Sequence, residues 1–463
     1  MRIPFAAIAI LLAFTIARLG GFERRGNNYL TDGSFGDVES AAGHASKGDQ
    51  VRIPAGHFVW GANHGTLNLT KEITVVGAGE GNTVIDLAPD ISRPQNGIIR
   101  LAGPATIGEL TLNGAPHVAA FSVANVSGWR ITRVDYEAGA SAAYFAIVNG
   151  SYGLIDHCRI VGGAGNNELI FTRGPVNSWD TADSLGGPEN LFVEECTFGG
   201  RGYVCDANAN SRMVVRFCTI ETLMKVDAHG IASNVPRRSC REIEVYDNTW
   251  TTVQHYGPAI EIRGGTGVIF GNRLPNQVPR VAWFFLMDYA TIAPWRNFGK
   301  KFQTPADYPI EGQIGRGRKG AEPMYVWDNL AAAQAGAGVA TVPWMPVGKK
   351  IPPAAIEYYR QQIHDPAATY TMQDIVKADR DYFLETPGVP FDGSSGVGIG
   401  TRAQMMAIGS ARAGVGFWVT DEGDWNHRQA GPSGRLYVWD GSAWKLRYEP
   451  YRFPHPLSTD IPR

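Results

Sequence analysis

Residues 153–160 read G-L-I-D-H-C-R-I, and residues 267–274 read G-V-I-F-G-N-R-L. The two stretches share a skeleton: a glycine, two apolar residues, two variable positions, then Cys or Asn, Arg and a branched apolar residue. They differ where chemistry would sit. The first has Asp156-His157, a pair suited to acid–base work, and the second has Phe270-Gly271. If the shared skeleton is architecture, the pair is one variable step of a repeat.

The skeleton recurs. L-F-V-E-E-C-T-F puts Cys196 in the frame, M-V-V-R-F-C-T-I Cys218, and I-E-V-Y-D-N-T-W Asn248. Upstream, W-R-I-T-R-V-D-Y supplies Val134 and A-T-I-G-E-L-T-L supplies Leu110. Frame positions from Leu110 to Asn272 are separated by 24, 24, 38, 22, 30 and 24 residues. A short period with β-branched strands is the mark of a stacked solenoid, with the two long steps carrying insertions. No period shows a sustained 3.6-residue pattern, which excludes helical repeats. The Leu framework of a leucine-rich repeat is missing. The reading is a parallel β-helix, all-β and single-stranded, in which equivalent residues stack ~4.8 Å apart. Asp156-His157 then aligns with Thr132-Arg133, Glu194-Glu195, Arg216-Phe217, Tyr246-Asp247 and Phe270-Gly271. Positions so variable read as a solvent-facing edge rather than as a catalytic pair.

Further stretches carry a family resemblance. G-D-Q-V-R-I-P-A-G-H-F-V-W (48–60) and K-E-I-T-V-V-G-A-G-E-G-N-T-V-I (71–85) resemble the opening coils of the pectate-lyase-like (pectin lyase-like) superfamily of right-handed parallel β-helices. D-V-E-S-A-A-G-H-A (37–45) is similar to its short N-terminal capping helix. The resemblance covers roughly residues 30–280 and implies the fold and its right hand. It does not imply one activity, because the superfamily holds lyases, hydrolases, esterases and epimerases. I-D-H at 155–157 resembles the W-I-D-H of pectate lyases, but their R-x-P-x-x-R segment does not occur. The nearest match, R-G-P-V-N-S at 173–178, lacks the second Arg.

Composition sets the remaining bounds. The chain has 463 residues, 44% hydrophobic and 19% charged, with a formal net charge of −2. That balance supplies no basic footprint for a nucleic-acid partner. Residues 1–18 read as a signal peptide, with Arg2, an apolar run over 3–17 and Arg18. The run is shorter than the ~20 residues of a membrane span. The expectation is a secreted, periplasmic or cell-surface protein with no stable membrane insertion after signal removal. Five cysteines, Cys158, Cys196, Cys205, Cys218 and Cys240, have no zinc-site spacing. Three are frame residues, and Cys205–Cys240 is a candidate disulfide.

A second strand follows each frame strand, and its outward positions become ionisable only partway along the stack. F-S-V-A-N (121–125) and F-A-I-V-N-G (145–150) carry none. L-I-F-T-R-G (169–174), Y-V-C-D-A (203–207), M-K-V-D-A-H-G (224–230) and I-E-I-R-G (260–264) carry Arg173, Asp206, Lys225, Asp227, His229, Glu261 and Arg263. Both insertions, 175–190 and 231–240, begin just after this strand and are expected to wall a groove. The leading expectation is β-elimination of an acidic, uronate-containing polysaccharide. His229 is the base, Lys225 a second candidate, and Asp206 and Asp227 complete the catalytic set. Arg173, Arg263 and Arg237 would hold carboxylates, with Glu261 and Trp179 as further substrate contacts. The chemistry requires no cofactor, although Asp206, Asn208, Asn210 and Asp227 are donors of the type calcium takes. Two alternatives stand: a glycoside hydrolase using the adjacent Asp206 and Asp227, and a non-catalytic glycan-binding or spike-like adhesin.

The domain reading is a signal peptide over 1–18, a β-helix over 28–280 and a mixed, partly irregular C-terminal region over 281–463. That region has a short helix at 351–364 and a β-rich end (414–450), whose strands 435–439 and 444–448 form a hairpin about Asp440-Gly441. Trp418, Trp425, Trp439 and Trp444 read as its core rather than as a sugar-binding face. The region is expected to pack back along the coils or to cap the end of the stack.

Overall fold

The frame positions stack into columns. Val134 pairs with Leu110, and the residues one step later pair in unbroken register: Asp135 with Arg159, Arg159 with Thr197, Thr197 with Thr219, Thr219 with Thr249 and Thr249 with Arg273. All of these pairings are parallel, so each repeat adds one coil to a parallel β-helix. The computed structural model describes residues 21–61, 64–88, 97–114, 118–139, 143–163, 168–221, 224–230, 239–252, 259–274, 280–285, 314–317, 320–331, 338–342 and 376–461. Within them lie a 21-stranded sheet and a ten-stranded sheet. The larger one bends: the strand Ser127–Glu137 pairs with Tyr152–Asp156 before the bend and with Arg159–Val161 after it.

The bend explains the variable dipeptide. From Glu109 through Arg133, His157, Glu195, Phe217, Asp247 and Gly271 to Asp328, successive coils turn at a residue with φ between +48° and +66°. Only Gly271 takes this left-handed conformation without steric cost. The others are held there by the ladders on either side. His157 is thus a corner residue, and Asp156 is the last outward position before the corner.

Inside the bend, Cys158, Cys196 and Cys218 are buried as free thiols, and so are Cys205 and Cys240. The candidate Cys205–Cys240 disulfide is therefore absent. Farther along, the column becomes a buried amide ladder. Asn248 Nδ2 donates to Asn272 Oδ1 (3.1 Å) and Asn272 Nδ2 to Asn329 Oδ1 (2.9 Å). The same nitrogens reach Val215 O and Val245 O, both at 2.9 Å. A buried amide costs little when its hydrogen-bonding groups find partners in this way.

The N-terminal end is closed by the helix Phe35–His44, capped by Ser34, which accepts from the Asp37 N–H. Its Phe35, Val38, Ala41 and Ala42 join the main core. Lys71 Nζ donates to Gly43 O (2.6 Å) and Ala45 O (2.7 Å), satisfying carbonyls at the helix C-terminus.

The coil does not stop near residue 280. Arg280–Phe285 and Gly338–Val342 extend the ten-stranded sheet, while Met324–Trp327 and Tyr382–Leu384 extend the larger one. The interruptions between these strands hid them from a search for a fixed period. A four-stranded sheet follows, made of Val397–Gly400, Gly416–Val419, Arg435–Trp439 and Trp444–Tyr448.

This C-terminal sheet lies against the outward face of the 21-stranded sheet, not over the end of the stack. Leu154, Phe192, Val214 and Val268 of the coils share a second core with Trp418, Trp425, Leu436, Trp439 and Phe453. Tyr246, Phe270 and Trp327 stack at centroid distances of 4.7 and 4.5 Å, close to the strand spacing, with Trp418 packed on the last two. The outward positions beside the bend are therefore covered, which corrects their reading as a solvent-facing edge. Asp156 is 0% exposed and forms an ion pair with Arg130 at 2.7 Å. Glu194 and Arg216, both 0% exposed, pair at 2.6 Å. The C-terminal segment seals these charges: Arg130 donates to Thr459 O, Arg216 to Tyr451 O (2.6 Å) and Arg452 O (2.9 Å), and the His455 N–H to Glu194 (3.0 Å).

The first insertion also belongs to this interface. Ser184 N and Gly186 N donate to Glu242 and Glu244, both at 2.7 Å, and Asp183 takes a bidentate contact from Arg447 at 2.9 and 2.8 Å. Residues 175–190 thus leave the ten-stranded sheet and cross to the covered face instead of walling a groove. Trp179 goes with them. It is 2% exposed, donates to Ser239 O (3.3 Å) and lies under the Arg241 guanidinium (4.7 Å). A side chain so enclosed has no face for a sugar, so its expected substrate contact is corrected.

Candidate active site

The outward rows of the ten-stranded sheet follow from strand alternation. One row runs Ser122, Ile147, Phe171, Asp206, Asp227, Glu261. A second begins with the pair Asn149–Arg173. It continues through Asn208, His229 and Arg263, whose N–H groups bond Thr172 O, Ala207 O and Ala228 O of the preceding coils. A third row holds Glu168, Tyr203 and Lys225. The structure therefore brings Arg173, Asp206, Lys225, Asp227, His229, Glu261 and Arg263 onto one face. Arg237 lies outside the described residues, as do most of the second insertion, residues 1–18 and the segment 351–364. The sequence reading missed Glu168. It stands one residue before L-I-F-T-R-G, and strict alternation back from Phe171 turns it inward; the irregularity at Leu169-Ile170, both buried, gave no signal in the sequence.

The centre of the face is a carboxyl pair. Asp206 and Asp227 are 4% and 0% exposed and sit directly opposite each other on adjacent coils. Arg263 forks onto Asp227, with Nε on Oδ1 at 3.0 Å and Nη2 on Oδ2. Asp206 accepts from Asn208 Nδ2 at 3.3 Å, while its Oδ1 has no hydrogen-bond partner among the described residues. Burial pushes both carboxyl groups up, Asp206 to about 6 and Asp227 to about 7. The charge of Glu168 raises Asp206 further, and Arg263 opposes the rise at both. The Arg263 fork on both its oxygens favours the ionised form of Asp227 against that rise.

The surrounding cations are already engaged. Lys225 pairs with Glu261 and lies 4.7 Å above the Tyr203 ring. Burial works against its charge, but Glu261, Tyr203 and Asp227 together raise its pKa, so Lys225 stays protonated and is not a base. Arg173 sits over the Phe171 ring at 4.6 Å. His229 Nδ1 lies 2.7 Å from Gly230 O. A carbonyl only accepts, so Nδ1 carries the proton and Nε2 the lone pair. Burial first, then Arg263, lowers the His229 pKa and keeps the ring neutral.

The calcium reading fits poorly, because Arg263 occupies both oxygens of Asp227. No cluster of three or more metal-ligating His, Cys, Asp or Glu occurs among the described residues. No described helix is long and apolar enough to cross a membrane.

No model of a known protein family matches the chain, and no curated protein matches its sequence. Solved structures of similar fold include an alginate lyase from Paenibacillus sp., with 12% identity and a TM-score of 0.42 over 67% of this chain and 97% of that one. A pectin methylesterase in complex with a hexasaccharide has 14% identity and a TM-score of 0.36 over 73% and 93% of the two chains. The catalytic domain of a GH87 alpha-1,3-glucanase has 11% identity and a TM-score of 0.31 over 66% of each. Likeness at this level carries no argument about chemistry.

Proposed function

We propose that the protein is a polysaccharide-processing hydrolase in which the Asp206–Asp227 pair activates the attacking water. The observation that carries this reading is a buried carboxyl, Asp206, with one uncommitted oxygen beside a second carboxyl fixed by Arg263. Asp227 is committed to the guanidinium, so Asp206 takes the proton from water. A base works best when its pKa lies near the working pH, and about 6 meets that condition. The outward rows run over successive coils, with one register shift between Tyr203 and Cys205, and a ladder of this kind suits an extended polymer. Residues 1–18 add a secreted, periplasmic or cell-surface place of action to the proposal.

One observation favours β-elimination as a second reading. His229 is neutral, with a lone pair on Nε2, as a base that removes a carbon-bound proton must be. The other parts of that expectation are weaker: Lys225 is paired with Glu261, and Arg263 is paired with Asp227 rather than held ready for a substrate carboxylate. Products separate the two readings. A panel of acidic and neutral polysaccharides should yield new reducing ends with no ultraviolet-absorbing unsaturated ends. Unsaturated products would replace hydrolysis with elimination. No product from any polymer, with binding retained, would leave a glycan-binding protein.

A further inference from the structure

A water-activating base is half of a hydrolytic site; the departing oxygen also needs a proton. We propose that Glu168 supplies it, facing Asp206 across the bond to be broken. The inference rests on the hydrolytic reading above. Glu168 lies one coil before Asp206, in the row of Tyr203 and Lys225. Strand geometry puts the two Cα atoms on the order of 8–11 Å apart. From there a long Glu and a short Asp side chain can span the ~6.5–9.5 Å that an inverting pair leaves for sugar and water. Asp206 and Asp227, directly opposite each other on adjacent coils, are too close to leave that room themselves.

The surroundings of Glu168 suit a donor. It is half-buried, and its carboxyl has no hydrogen-bond or ion-pair partner among the described residues. The charged and titratable groups facing it are Arg173 on its own strand, Tyr203 and Asp206 on the next, Lys225 and Asp227 beyond, Arg263 on the fourth and Tyr144 on the preceding coil. Burial first, then the charge of Asp227, raises its pKa, which keeps the proton on Glu168 at higher pH than an exposed glutamate would hold it. In the step, the water oxygen bonds to the anomeric carbon as the glycosidic C–O bond breaks. The water proton goes to Asp206 and the Glu168 proton to the leaving oxygen. Exchange with solvent resets both groups, and the configuration at the anomeric carbon inverts.

The test compares Glu168→Gln with wild type on two substrates: the polysaccharide that wild type cleaves, and the 2,4-dinitrophenyl glycoside of the sugar it releases. Dinitrophenolate leaves without a proton. The expected result is a ~10²–10⁴-fold loss on the polysaccharide, less than a tenfold loss on the aryl glycoside, loss of the basic limb of the pH profile, and an inverted product anomer from wild type. Retained aryl activity also shows that the variant is folded. Full polysaccharide activity in the variant, equal losses on both substrates or a retained anomer would overturn the role of Glu168 while leaving hydrolysis standing. A wild-type protein that hydrolyses no polymer of the panel would remove the hydrolytic reading and this inference with it.

Discussion

Two aspartate–arginine forks join adjacent coils among the described residues, Arg130 on Asp156 and Arg263 on Asp227. The first lies on the 21-stranded sheet, under Ser458 and Thr459. The second lies on the ten-stranded sheet, beside another carboxyl and half-buried Lys225, His229 and Glu168. Residue type does not separate a structural charge pair from a candidate catalytic one here. What separates them is the neighbourhood: His157 and the Ser458 hydroxyl complete Asp156 and the Thr459 carbonyl completes Arg130, whereas Asp206 leaves an oxygen uncommitted beside Asp227.

The comparison can be broken by substitution. Asp206→Asn should lower polysaccharide hydrolysis by ~10³-fold or more with an unchanged melting temperature. Unchanged activity with a lower melting temperature would move this fork into the structural class. On the covered face, Arg216→Ala strands Glu194 and should cost about 3–5 kcal/mol of stability in denaturant unfolding. Early proteolysis after residue 376 would accompany that loss, because Arg216 holds the backbone at Tyr451 and Arg452.

The two faces should also answer pH differently. On the ten-stranded sheet, Asp206 must be ionised to accept a proton, so rates should climb as pH rises through about 6. On the covered face, burial first and then Arg216 push His455 down to about 3. The folded state therefore binds fewer protons than the unfolded one. Its stability is complete above pH 6.5 and falls by at most about 1.4 kcal/mol per unit as pH drops toward 3. His455→Gln should flatten that slope in melting curves taken between pH 4 and 7. The smallest effect belongs to Lys225→Ala. Its partly exposed pair with Glu261 should contribute under ~1 kcal/mol to stability.

The coils were legible because one physical constraint repeats: an inward apolar or amide side chain must sit above its equivalent, which fixes Leu110, Val134, Cys158 and Asn248 in one column. The left-handed corner was not, because the residues at Arg133, His157 and Phe217 point away from the core and the ladder tolerates any side chain there. What covers an outward face cannot be read from spacing either, although Tyr246, Phe270 and Trp327 on consecutive coils were a sign that something apolar does. On the candidate site's face, Asp206, Asp227, His229 and Arg263 were legible because each repeat returns the chain to the same strand. Trp179 was misplaced because an insertion obeys no such period.

The carbonyls that complete Arg130 and Arg216 come from residues 329 and 235 positions downstream. A ribosome delivers them long after the arginines. Every coil between those arginines is synthesised well before the groups that cover its outer wall, so the newborn spiral must stay hydrated along that side until residues 451–459 emerge and zip it shut.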